Sequence, residues 1–505
     1  MEIELKLLLD PDDVPALRGH PLLAACASTA PSTHKLQATY FDTADLAVRA
    51  SGASLRVRRI DGHWVQTFKG GDVVSSGLHS REEWESTVTS AQPDLAALRQ
   101  LVDRKSPWRK LLQAPQLDGA LRPVFTTRIA RTKWDLVLPE GDEVECVLDQ
   151  GHLEHDGDTV PISEIELELK SGDPAHLFDF ALALQHDIPL QVGNRSKSER
   201  GYAMLDPLTA PAAVPAAALD LSRPMGVMQA FRAIVGNCLT QIQSNAPGVV
   251  AMQDVESLHQ MRVGLRRLNS ALGLFNSLRP LPDGIQQELD WLGTQLGPGR
   301  DWDVLVESTL PDVISAVPDA ALGEVATAAQ NEARLKHRDA AAAVDSQRYH
   351  RLLLQLARWM QDSDMDDPDR GQSQQLQAFA RRVLKKNQRR LARRGNQVRG
   401  TDVRASHRLR IAVKKMRYAV EFFQSLYPAR RLRQYRGRLT DLQEQLGWYN
   451  DVTVADKLLE QLQRRRPVLA SSIGFTRGYL HARSRDQYKN IRKRARKLAE
   501  TKPDL

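Results

Sequence analysis

Apolar and charged residues alternate at the start of the chain. Ile3, Leu5 and Leu7 fall on one side of a two-residue period, and Glu2, Glu4 and Lys6 on the other. That period predicts a β-strand with one apolar and one charged face. Taken alone, such a strand is an edge with a solvated outer face. The alternation recurs, however, through the next two hundred residues. Residues 54–58 set Arg56 and Arg58 against Leu55 and Val57, residues 64–69 bring Lys69, and residues 81–85 offer Glu83 and Glu85. Residues 124–134 carry Arg128 and Arg131. Residues 143–149 alternate Glu143, Glu145, Val147 and Asp149 with Val144, Cys146 and Leu148. Residues 165–170 nearly repeat the opening, with Glu166, Glu168 and Lys170 against Ile165, Leu167 and Leu169, and residues 196–202 are expected to add Lys197 and Arg200 in the same way.

An antiparallel sheet ordinarily buries one face and solvates the other. Here Glu, Arg and Lys dominate the polar faces of six or seven strands. Curling the sheet into a tunnel turns those faces toward one lumen. The apolar faces then pack outward on short helices, expected over 95–105 and 175–185. Such a lumen needs counter-ions: cations for its carboxylates and an anion for its Arg and Lys.

Beyond residue 223 the period changes to that of helices. The segment 206–222, with prolines at 207, 211 and 215, is expected to be a linker. In the helical part, Leu258, Met261, Leu265, Leu268 and Leu272 form an apolar stripe, edged by His259, Arg262 and Arg266. The design recurs in Leu409, Val413, Met416, Val420 and Phe423, with His407, Arg410, Lys414 and Arg417 beside them. Leu296-Gly-Pro-Gly-Arg-Asp matches Leu446-Gly-Trp-Tyr-Asn-Asp at nearly the same offset. The helical part is therefore a duplication, with repeats expected over about 223–365 and 373–505. Asp301 and Asp451, which end the paired motifs, are expected to be helix N-caps or partners of the basic stripes.

Charge narrows the partners. The net charge is +8, and 15 Lys or Arg face a single acid, Asp402, between Phe379 and Arg417. That run predicts an anionic ligand: polyphosphate, nucleic acid or anionic lipid on charge alone. Nucleic acid is disfavoured by the absence of a recognised reader motif and of interleaved aromatics. No apolar run is long enough to cross a membrane. Three scattered cysteines and the lack of a leader-like start lead to the expectation of a reducing, cytoplasmic setting without disulfides or zinc.

The E-x-E-x-K opening, the R-x-R at Arg56 and Arg58, the I-E-L-E-L-K strand and the S-K-x-x-R-G-Y segment, in that order, resemble the CYTH or triphosphate-tunnel family. The resemblance covers nearly all of residues 1–205 and implies an α+β protein: an eight-stranded antiparallel tunnel with flanking helices, then an all-α domain. It implies a triphosphate substrate held with Mg2+ or Mn2+, in keeping with oxygen-only ligands. The metal ligands it implies are Glu2, Glu4 and Glu168, with Glu166, Glu83, Glu85, Glu145 and Asp149 in a second ring. The phosphate clamp it implies is Lys6, Arg56, Arg58, Lys69, Arg128, Lys197 and Arg200, since Arg grips phosphate bidentately and Lys acts as a point charge. Glu2, Glu4, Lys6, Glu83 and Glu85 are the expected catalytic group, and Arg131 and Lys170 are equally readable as structural ion-pair partners. With no Ser-His-Asp or Cys-His set and no P-loop, direct attack by water is the expected route.

The H-x-x-R-x-x-x-R-R and L-G-x-x-R/N-D motifs are similar to those of the CHAD family of helical domains. That resemblance implies polyphosphate binding by His259, Arg262, Arg266, Arg267, His407, Arg410, Lys414, Lys415 and Arg417, with His481 among Arg477, Arg483 and Arg485 as an extension. The second repeat departs from the first at Lys414, Lys415 and Asn450, where the first has Arg266, Arg267 and Arg300. The expected function is an inorganic triphosphatase that yields pyrophosphate and phosphate from tripolyphosphate. An adenylate cyclase on the same tunnel and a non-catalytic polyphosphate scaffold are the alternatives.

Overall fold

The computed structural model describes all residues except 1, 61, 207–211, 223, 253, 319–321, 362–375, 399–402 and 501–505; the side chains of 116, 403, 431, 485–492, 496, 497, 499 and 500 are also left out. Prolines 207 and 211 of the expected linker, the expected repeat boundaries 365 and 373, Arg399, Asp402 and the Arg485 side chain lie outside the described residues. The chain divides into two compact units: Met1–Ala210 with Ser346–Asp362, and Pro211–Asp345 with Ser363–Leu505.

The first unit is built on strands β1 (Glu2–Leu9), β2 (Ser32–Asp42), β3 (Ala53–Ile60), β4 (His63–Ser75), β5 (Leu78–Val88), β6 (Arg122–Val137), β7 (Glu143–His155), β8 (Asp158–Ser171) and β9 (Leu190–Val192). Their order is β5-β4-β3-β2-β6-β7-β8-β1, and β1 also pairs with β5, so eight antiparallel strands close into a barrel. Closure removes the free edges of an open sheet. The short β9 pairs with Leu7–Leu9 of β1, beyond the stretch that meets β5.

The apolar faces point outward, as the alternation predicts. Phe41, Leu55, Val57 and Phe68 pack with Leu98 and Leu112 of the helices Leu95–Leu101 and Pro107–Leu112. The helix expected over 95–105 ends at Leu101, and a second one, capped by Ser106 and started by Pro107, follows it. Leu5, Leu7, Ile165 and Leu167 are fully buried, on strands that pack against the helix Pro174–Asp187. Residues 196–202 depart from the strand expectation. Ser196 and Glu199 form a capping box, and Lys197–Ala203 is a helix. Gly201 is needed there because a Cβ would collide with the Phe125 ring.

In the second unit, the helices Val227–Ser244, Val255–Phe275, Asp283–Val304 and Gly323–Val344 have counterparts in Leu376–Gln397, Val403–Phe423, Ala429–Arg465 and Ala470–Glu500. The duplication extends into the core. Phe231 and Phe275 of the first repeat meet Phe379 and Phe423, their equivalents at the 148-residue offset. The Phe275 centroid lies 4.9 Å from Phe231, 4.8 Å from Phe379 and 6.3 Å from Phe423. Among the described residues, no helix is long and apolar enough to cross a membrane.

Candidate functional site

The barrel encloses a cavity of about 370 Å³ lined mostly by charged side chains. Strand register explains why. Glu4 pairs with Glu168, and Lys6 with Glu166, between β1 and β8. Glu2 faces Arg81 on β5, and Lys69 faces Glu83 between β4 and β5. Residues two apart share a face, so each strand adds its alternate charges to the same lumen. Of the expected residues, Glu2, Glu4, Lys6, Arg56, Arg58, Lys69, Glu83, Glu85, Glu145, Glu166, Glu168 and Lys197 line it. Arg131 and Lys170, read from sequence as ambiguous, line it as well, and so do Tyr40 and Arg81, which were not expected.

Three expected residues lie elsewhere. Arg128 is half exposed and pairs with Glu154 at 2.9 Å. It is three residues from Arg131, and an odd separation puts two side chains on opposite faces of a strand. Asp149 is on the inward face but fully buried and not part of the cavity lining, and Arg131 grips it bidentately at 2.7 and 2.6 Å. Arg200 reaches Glu164 at 2.9 Å and the Pro161 carbonyl, away from the cavity lining. Lys197 and Arg200 share a helix face because their spacing is three, which a strand would not allow.

At one end of the lumen the charges form a knot. Lys197 Nζ lies 2.6 Å from Asp149, 2.6 Å from Glu164 and 2.9 Å from Glu166. Lys6 Nζ binds Glu164 at 3.0 Å and also Glu166. Arg131 reaches Glu166 at 3.0 Å. Burial alone would neutralise these groups, but their neighbours outweigh it. Lys197, Lys6 and Arg131 hold the Glu166 carboxyl well below its ordinary range. Glu164 and Glu166 in turn hold the Lys6 ammonium above its own.

Elsewhere in the lumen, Arg81 bridges Glu2 at 2.8 Å and Glu4 at 2.7 Å, and Lys69 reaches Glu2 at 2.9 Å and Glu83 at 3.2 Å. Arg58 pairs with Glu85 at 2.9 Å. Two features there are unbalanced. The Nε atoms of Arg56 and Arg58 are buried without a hydrogen-bond partner, and burial followed by the Arg56 charge pushes the Arg58 pKa down. Opposite in sign, burial raises the Glu168 pKa, and Glu2 and Glu145 add to the effect against Lys170. The lumen thus offers unsatisfied donors for an anion and an acidic patch that a cation would relieve.

Metal-like spacing among the described residues takes a different form from that expected. Asp149, Glu164 and Glu166 have oxygens within 4.8 Å of one another, but Lys6, Lys197 and Arg131 already neutralise them. Glu2, Glu4 and Glu168 do not converge this closely; Arg81 and Lys69 hold the first two and Lys170 the third. All three of Glu2, Glu4 and Glu168 line the cavity, whereas of the other set only Glu166 does.

In the helical unit the two basic stripes act on one another. Arg266 and Arg262 lower the Lys414 pKa, with burial as the larger cause and Arg410 next, to about 7. Asp301 lies 3.8 Å from Arg262 and carries a raised pKa, due first to burial and in part to Asp451. Both acids lie inside long helices, so the N-cap expectation fails; Asp301 is partnered by Arg262, and Arg410 is the cation that acts most on Asp451. His259 Nδ1 and the Arg262 Nε and Nη1 atoms are buried without hydrogen-bond partners, as are Arg410 Nε and Arg417 Nε. Arg267 is locked into packing instead. It donates to Glu421 at 2.8 Å, to Gln241 at 2.9 Å and to Asn237 at 2.8 Å. His407 is exposed, whereas His259 is half-buried, and Lys415 is affected mainly by burial and Arg390. His481 pairs with Asp456, which Arg477 also binds.

Comparison with known proteins agrees with this division. A family model described as CYTH domain matches residues 1–202, and one described as CHAD domain matches residues 233–460. An inorganic triphosphatase of Haemophilus influenzae is 35% identical over 205 residues, which are 40% of this chain and 54% of that protein. The chain therefore spans about half the length of that relative. The crystal structure of the CHAD domain from the plant Ricinus communis is 38% identical, with a TM-score of 0.52, and matches 58% of this chain and 98% of that one. The closed charged barrel and the duplicated helical unit belong, in that order, to the CYTH and CHAD families.

Proposed function

We propose that the barrel is a divalent-metal-dependent triphosphatase that hydrolyses tripolyphosphate to pyrophosphate and phosphate, and that the helical unit binds polyphosphate. The observation that carries the first half is the pair of buried, unpartnered Nε donors of Arg56 and Arg58, facing acidic Glu2, Glu4 and Glu168 across one lumen. The match to an inorganic triphosphatase supports the same reading.

In this reading Arg56, Arg58 and Lys69 bind the phosphate chain and, with Lys197, orient it along the lumen. Glu2, Glu4 and Glu168, assisted by Glu145, would hold Mg2+ or Mn2+, which supplies charge neutralisation on phosphate oxygens. The residues fit that role because Glu168 keeps a raised pKa, from burial and the neighbouring Glu2 and Glu145, despite its pair with Lys170, and it lies beside open volume. Water attacks the terminal phosphorus, the bridging P–O bond breaks, and pyrophosphate leaves with the electron pair. Glu83 or Glu85, on the open part of the wall, takes the proton of the water.

The second half rests on the buried, unpaired His259, Arg262 and Arg410 nitrogens and on Lys414, crowded by like charges. A polyanion satisfies all of them at once. The test is a substrate panel of tripolyphosphate, ATP, thiamine triphosphate and long polyphosphate with Mg2+ and Mn2+. Release of phosphate chiefly from tripolyphosphate is expected. Formation of cyclic AMP from ATP, or no turnover of any member, would overturn the proposal.

A further inference from the structure

The helix Gln347–Met360, late in the chain, groups with the barrel instead of the helical unit. Its apolar side chains, including Tyr349, Leu352, Leu353 and Leu356, are buried, and it packs on the helix Pro174–Asp187 and on β9. Polar contacts fix its register. Gln347 donates to the Gln185 carbonyl at 2.6 Å, and Arg358 binds Asp179 at 2.7 Å.

His350 reaches the backbone of β9. In the β1–β9 ladder Gly193 donates to the Lys6 carbonyl at 2.9 Å, so the N–H of the preceding Val192 points away from β1. That outward N–H donates to His350 Nδ1 at 3.1 Å. Burial lowers the His350 pKa to about 4, which keeps the ring neutral and Nδ1 able to accept. Next along the strand, Gly193 lies so close to the Lys6 stem that a Cβ would sit 2.8 Å from Lys6 Cγ, and its carbonyl accepts from His79 at 3.1 Å. Lys6 in turn anchors Glu164 and Glu166 in the charged knot.

From this chain of contacts we infer that His350 is a positioning residue for Lys6, acting through Val192 and Gly193 from a helix that lies some 150 residues later in sequence than β9. The barrel is then complete only with the helix Gln347–Met360, and a fragment ending at 205 lacks one layer of the lysine strand's support. The inference rests on the triphosphatase reading only for its kinetic readout.

The experiment uses the full chain with His350→Phe, which fills the volume without an acceptor, and His350→Asn, whose Oδ1 stands where Nδ1 stood. Amide exchange at Val192 and Gly193, tripolyphosphate binding by calorimetry, and KM against kcat are measured. For His350→Phe the expected result is exchange at both amides about tenfold faster, from loss of a local hydrogen bond, with a severalfold weaker Kd and higher KM; His350→Asn should restore all three. Faster exchange with unchanged tripolyphosphate affinity would make the helix merely structural and overturn the inference, as would equal behaviour of the two variants. If the parent chain binds tripolyphosphate without hydrolysing it, the triphosphatase reading fails, while the affinity comparison still decides the role of His350.

Discussion

Arg81 Nη2 donates to Glu4 Oε1 across 2.7 Å, with only 9% and 4% of the two side chains exposed. Arg81 also reaches Glu2, so one guanidinium ties together two carboxylates of the opening strand. Removing one partner of a buried pair is costly because the other charge stays behind. Arg81→Ala is expected to destabilise the barrel by about 3 kcal/mol, read from urea unfolding. Saturating Mn2+ should recover part of that loss, since a cation between Glu2 and Glu4 replaces the missing charge. A loss that Mn2+ leaves unchanged would argue against those two residues as metal ligands.

Glu4→Gln keeps the shape of the side chain and removes its charge. Metal-dependent phosphate release from tripolyphosphate should fall at least about a hundredfold, with an unchanged circular dichroism spectrum. Activity within a fewfold of the parent would remove Glu4 from the metal site.

Arg56 and Arg128 separate the lumen from the outer wall. Arg56→Ala removes a charged donor set worth about 1.5–3 kcal/mol to a phosphate, so KM should rise roughly tenfold or more. Arg128→Ala breaks only an exposed pair with Glu154. Steady-state kinetics should find it within about twofold of the parent, as surface substitutions generally are.

Lys414 sets a pH dependence in the helical unit. Its folded pKa of about 7 lies below its ordinary value of 10.5. Between those values the unfolded chain binds more protons, so the Lys414 term favours unfolding at low pH and fades as pH rises through that window. Binding of a polyanion works the other way. The bound anion holds Lys414 protonated, so affinity for long polyphosphate should fall as pH rises from about 7 to 9. Calorimetry across that range in two buffers of different ionisation enthalpy would show proton uptake. Lys414→Met should abolish it, and an equal pH slope in that variant would assign the effect elsewhere.

Local spacing decided a great deal. Two-residue alternation determined which side chains of β1, β3, β4, β7 and β8 share a face, because side-chain direction in a strand is a property of the backbone itself. The 148-residue offset likewise determined the duplication, down to Phe231 with Phe379 and Phe275 with Phe423. The same rule, applied to the three-residue spacing of Arg128 and Arg131, would have placed Arg128 outside. The capping box at Ser196 and Glu199 would have made 196–202 a helix.

What tertiary structure alone decided is pairing. Nothing local distinguishes Arg81 from any strand arginine, and only closure of β5 onto β1 sets it between Glu2 and Glu4. Arg267 carries the same motif as Arg266, but its partners Asn237, Gln241 and Glu421 come from two other helices. The helix Gln347–Met360 has an apolar stripe whose partner its own sequence does not specify. On β9 it meets the Val192 N–H, which points away from β1 and is accepted by His350 only in the folded barrel. Periodicity fixes the direction of a side chain, whereas its electrostatic partner depends on contacts far apart in the chain that only the folded barrel and bundle create.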